Sequence, residues 1–182
     1  MSARNAIAIL SAAALAISLA ACGGSGSSGV TPAAYVKSVC QAIGPFEKTV
    51  QSRSQALNQS KPQNAADGKK ALQTFLNEVA SDTDKAVSEL KAAGVPNISN
   101  GKQVSAAIVS AFTELKSALT AAAAKAGTLP TNSPTAFQAG AQALGASVQT
   151  SIGGIGTSLG NLKSADLEAA AKKEPACQSL GA

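Results

Sequence analysis

The sequence predicts an all-α fold: an antiparallel, up-down-up-down four-helix bundle followed by a short C-terminal helix. Three observations carry this. Four long segments each place apolar residues at steps of three and four, the spacing of one face of a helix. Proline, glycine and polar residues punctuate the chain between them at short intervals, as helix hairpins require. The composition is 45% hydrophobic and 14% charged, with much of the apolar content in alanine, the strongest helix former.

The first helix opens at Thr31-Pro32, a capping hydroxyl followed by a proline at the first helical position. Its stripe is Val36, Val39, Ile43, Phe46, Val50 and Leu57. Gly44-Pro45 interrupts the segment without changing its phase, so it reads as one long helix with a kink or as two helices nearly in line. It ends between Asn58 and Pro62. The second helix starts near Asn64 or Asp67, carries Leu72, Phe75, Leu76, Val79, Thr83, Val87 and Leu90, and stops at Gly94 before Pro96. Ser99 or Asn100 caps the third, whose stripe is Val104, Ile108, Phe112, Leu115, Leu119 and Ala122; it ends near Gly127. Ser133-Pro134 opens the fourth, with Phe137, Ala141, Leu144, Val148, Ile152, Ile155, Leu159 and Leu162. A short fifth helix runs from a cap at Ser164 to about Lys173, and Pro175 closes it. Each long segment holds one phenylalanine, which with Tyr35 reads as core packing among alanines.

Composition excludes several functions. The 182 residues contain no histidine and no tryptophan. No His-based triad, His-ligated zinc or His-ligated haem can form. Aromatics are 3% of residues, too few for a base-stacking platform, and a net charge of +5 is too mild to make nucleic acid a partner. The lysine pairs Lys69-Lys70 and Lys172-Lys173 read as solvated helix faces. Glu78 and Asp82 share a helix face near Asp84 and Glu89, and with Lys85 and Ser81 they too read as solvated. No phosphate-loop pattern occurs. No cofactor and no metal site is expected.

The N-terminus carries an address. Arg4 is the lone charge of the first 36 residues, and an apolar run from Ala6 to Ala20 follows it. Fifteen residues match a signal-peptide core and fall short of the roughly 20 that span a bilayer. The run ends in Leu19-Ala20-Ala21-Cys22, which resembles the lipobox of bacterial lipoproteins. The resemblance implies cleavage before Cys22 and a diacylglyceryl group on its thiol. It divides the chain into a signal peptide over 1–21, a lipidated cysteine with a Gly/Ser tether over 22–30, and a helical domain over 31–182. Each buried CH₂ contributes about 0.8 kcal/mol, so two or three acyl chains would hold the protein on the outer face of the bacterial cell membrane. Away from the lipobox, the Tyr35-Val-Lys-Ser-Val-Cys40 start, the Gly44-Pro45-Phe46 step and the Glu174-Pro-Ala-Cys177 end resemble small Ala-rich lipoproteins of actinobacteria. That resemblance brings no active site with it.

With Cys22 lipidated, Cys40 and Cys177 remain in an oxidising setting, where such a pair forms a disulfide. Cys40 lies about 12 Å into the first helix. The short fifth helix, folding back from the same end of the bundle, would bring Cys177 alongside. The far end then displays the 58–66 and 127–134 turns, the latter rich in hydroxyls and proline and suited to O-linked sugar.

The fourth helix holds Gly140, Gly145, Gly153, Gly154, Gly156 and Gly160. Interior glycines cost up to about 1 kcal/mol each against alanine. Gly153, Gly156 and Gly160 lie on nearly one side and form a candidate contact or ligand face. The expected function is a non-enzymatic, membrane-anchored binding module of the cell envelope that meets an envelope protein. The alternative is a carrier of an apolar small molecule between the helices. A hydrolase or redox enzyme is disfavoured, because no nucleophile has a base beside it.

Overall fold

The computed structural model describes residues 29–160, 164–178 and 180. They form six helices: α1 (Pro32–Gln59), α2 (Ala65–Ala92), α3 (Gly101–Gly127), α4 (Pro134–Gly160), α5 (Ala165–Ala171) and α6 (Pro175–Gln178). Successive long helices run antiparallel. Arg53, late in α1, reaches Glu78 and Asp82 in α2. Lys116 of α3 pairs with Asp84 of α2, and Ser105 near the start of α3 bonds the Gly94 carbonyl just past the end of α2.

The caps explain most boundaries. The Thr31 hydroxyl accepts from the Ala34 amide at 3.2 Å, and the Asn64 side chain accepts from Asp67 at 2.9 Å. The Ser133 hydroxyl accepts from Ala136 at 3.3 Å. Past the end of α2, Gly94 adopts φ +79°, a conformation open to glycine, and its amide bonds the Lys91 carbonyl. α1 runs unbroken through Pro45. The carbonyl that Pro45 cannot serve belongs to Gln41, which is exposed to water, so one continuous helix is tolerated.

Three expectations are corrected at helix starts. Asn100 and Ser164 stand at the cap positions of α3 and α5, but neither side chain bonds the first turn. Pro175 does not close α5. It opens α6, where its missing N–H costs nothing, while Glu174 receives the Ala176 amide on its carboxylate and the Cys177 amide on its carbonyl.

α2 and α3 share the largest interface; α1 packs on α2 and α4 on α3. The main core joins Leu76, Val79 and Ala80 of α2, Leu119, Ala122, Ala123 and Ala126 of α3, and Leu144 of α4. Alanine lets the α2 and α3 backbones approach closely, which is why so alanine-rich a chain builds a dry core with few large side chains. A smaller cluster of Tyr35, Ala93 and Val104 closes the end where the chain enters, with Leu167 of α5 over it. Phe46 and Phe112 meet edge to face at 5.7 Å between centroids. Among the described residues, the fourth side of the bundle, α4 against α1, has no substantial interface; α5 and α6 lie on α1 instead.

The expected covalent strap is present. Cys40 of α1 and Cys177 of α6 form a disulfide with Cα atoms 5.1 Å apart, and Cys177 is buried.

Candidate functional site

The two ends of the bundle differ. At the entry end, Val30 is stitched to the α2–α3 connection: its amide donates to the Val95 carbonyl and its carbonyl accepts from Asn97, both at 2.8 Å. A side chain at Gly29 would meet the Val95 carbonyl at 2.9 Å, and one at Gly101 would meet the Pro96 carbonyl at 1.9 Å. Glycine is required at both places by this close approach. Tyr35, the single tyrosine, is buried here and shares a hydrogen bond with Ser105. Burial pushes its phenol above the ordinary tyrosine range, and the Ser105 bond offsets part of that rise.

At the far end, the α1–α2 and α3–α4 connections come together. The Phe137 ring lies over Gly68, 3.0 Å from where a Cβ would stand. Beside it opens a crevice of about 650 Å³ between residues 62–65 and the first two turns of α4, lined by Pro62, Asn64, Phe137, Ala141, Gln138 and Gln142. A groove of about 540 Å³ runs between α1 and α2. Its apolar lining is Ala56, Leu57, Ala71 and Phe75; its polar lining includes Arg53, Asp67, Lys70 and Glu78. Both spaces lie in the range of small-ligand sites, mostly apolar with a few polar groups.

Arg53 organises one end of this groove. It pairs with Glu78 and, at 2.6 Å, with Asp82, whose other oxygen faces Lys85 at 3.6 Å. The Asp82 hydrogen bond, above all, raises the Arg53 guanidinium beyond its ordinary value. Asp82 is buried, which corrects the solvated-face reading for that carboxylate, while Glu78, Asp84, Lys85 and Glu89 are exposed as expected. The available signal was Arg53 itself, one of two arginines in a lysine-rich chain. A planar fork suits two carboxylates where a lysine would not.

The other candidate residues fall as follows. Cys22 lies outside the described residues. Cys40 and Cys177 are brought together in the bridge. Gly153 is exposed, and a Cβ there would meet no atom within 4 Å beyond its own stretch of helix, as at Gly145 and Gly154. Among the described residues, no neighbouring helix packs close enough to these positions to require glycine. The close approach occurs instead at Gly140, where Leu129 would lie 2.7 Å from a Cβ. Gly156 and Gly160 continue α4, and their surroundings lie outside the described residues. Ile152 is 49% exposed, not part of the buried stripe. Successive steps of four turn 40° around a helix, so Leu144, Val148 and Ile152 drift off the α3-facing side.

Among the described residues, no group of three or more His, Cys, Asp or Glu side chains is placed to hold a metal ion. Many helix hydroxyls are engaged by their own helix: Thr83, Ser88, Thr113, Ser117, Thr120, Thr150 and Ser151 each donate to the carbonyl four residues back. The sequence matches no protein-family model, no curated protein and no solved structure.

Proposed function

We propose that this chain is an extracytoplasmic lipoprotein, anchored through Cys22 to the outer face of the bacterial cell membrane, and that it acts there as a non-enzymatic binding module whose far end meets an envelope protein. The observation that carries this reading is the polarity of the bundle. The chain enters at Val30, fastened to the α2–α3 connection, while the crevice beside Phe137 opens at the opposite end. A helix of 28 residues is about 42 Å long, so an anchor before residue 29 would hold that crevice a bundle length above the surface. No described helix is long and apolar enough to cross a membrane, so attachment would rest on the lipid.

The test is photo-crosslinking in intact producing cells from Gln63 at the far end and from Lys102 at the entry end, with Cys22→Ala as control. A protein captured from Gln63, not from Lys102, and lost in the control is the expected result. Equal capture from both ends, or none, overturns the reading. The α1–α2 groove favours a second reading, carriage of a small apolar molecule. Organic extraction of the purified protein followed by mass spectrometry decides it; an empty extract rejects the carrier.

A further inference from the structure

We infer that a second copy of this chain packs against α4, giving a parallel two-fold dimer. α4 is covered on one side only. Of its residues 134–154, Leu144 alone is buried. Among the described residues, the side that a closed bundle would give to α1 has no substantial interface. On this flank a second helical seam runs through Gln138, Gln142, Gly145, Gln149 and Ile152, at steps of four, three, four and three. All five are exposed. This is the spacing of a helix–helix contact, distinct from the Phe137, Ala141, Leu144 and Val148 seam that faces the core.

The chemistry of the seam selects its occupant. No charged residue occurs between Lys125 and Lys163, so α4 is neutral along about 40 Å. A chain of net charge +5 repels its own copies across most orientations, and least where neutral faces meet. A glutamine amide both donates and accepts, so Gln opposite Gln across a two-fold axis satisfies itself. Gly145 has open space where a facing side chain fits. An isologous contact requires this self-complementarity, and a partner chosen by charge would find nothing here to read. Half the surface of residues 134–154, a helix of about 31 Å, is about 500 Å², so two copies bury about 1,000 Å², the lower bound of a specific interface. The 62–65 turn lies outside this contact, so Gln63 at the far end stays open to another protein. A two-fold axis along the bundle leaves both chain entries at one end. The inference does not rest on lipidation.

The test uses the full chain in producing cells, with single cysteines introduced as Gln142→Cys, Gln149→Cys and Ile152→Cys, and Glu47→Cys on α1 as the control. After mild oxidation, each seam cysteine is expected to link to its own copy, giving a covalent homodimer identified by mass spectrometry. The parent chain and the Glu47→Cys chain form no covalent homodimer. Adding Ile152→Lys to the Gln149→Cys chain should abolish the dimer while leaving the thermal melt in place, because Ile152 is exposed. Seam cysteines that link no better than Glu47→Cys, or that link to a different protein, overturn the proposal.

Discussion

α2 and α4 have nearly the same length and carry apolar stripes of similar regularity, yet they are built differently. α2 has ten buried residues, a side-chain cap at Asn64, and carboxylates paired to α1 and α3. α4 has one buried residue in its described part, no charge, and repeated glycines in open space. A stripe tells which side of a helix turns inward. It does not tell how many neighbours will cover that side, because this depends on where other helices arrive. Central position gives α2 its depth; edge position leaves α4 a face to offer.

The comparison is sharpened by removing its supports in turn. The largest effect should come from Cys40→Ser. Releasing a cross-link between residues 137 apart costs about 4–5 kcal/mol in the chain-entropy model, read as a fall in the denaturant midpoint. Next is Leu90→Ala in α2, where the side chain is 1% exposed; a loss of about 2–5 kcal/mol is expected, whereas Ile152→Ala in α4 should stay within about 0.5 kcal/mol. Equal losses at the two positions would erase the distinction between the helices.

Arg53→Ala should cost about 1–3 kcal/mol, because it strips the buried Asp82 of its closest partner. In α4 the sign reverses. Gly145→Ala has room for its methyl group within its own chain and should stabilise the dilute monomer by about 0.5–1 kcal/mol, measured by the shift in melting temperature.

The smallest effect is confined to alkaline pH. Tyr35 ionises at higher pH folded than unfolded. Its stabilising contribution is therefore complete below the unfolded value of about 10 and lost as pH rises through that value toward the folded one. Ultraviolet titration of this lone tyrosine should give a midpoint above 10, and Tyr35→Phe should flatten the alkaline fall in stability.

Much of the fold was legible because local chemistry agreed with global packing. Thr31-Pro32, Gly94 and Ser133-Pro134 mark helix ends by backbone rules that tertiary structure had no reason to override. The disulfide was legible from two cysteines and the end-to-end logic of a helical hairpin. Pro175 does not fix a boundary by itself, because a proline closes one helix and opens the next with equal ease. The pairing of Arg53 with Glu78 and Asp82 needed the relative rotation of α1 and α2, which no one-dimensional pattern contains. The two grooves were out of reach for a related reason. They are gaps between neighbours, and a sequence lists residues rather than the spaces they leave. The glycines of α4 read as costly in the sequence, but the open space beside Gly145 depends on where the other helices arrive.

The cross-link has a mechanical consequence. A chain pulled from its N-terminal side against its C-terminal side bears load only through residues 30–40, the two sulfurs and the short stretch after Cys177. Those few residues would yield about 50 Å of slack at roughly 3.5 Å each. The 137-residue span between the cysteines, worth nearly ten times that length, is bypassed by the covalent shunt. Tension between the two termini thus leaves the helices α2, α3 and α4 unstretched. Until the disulfide is reduced, the domain behaves under such a pull as a short link rather than a spring.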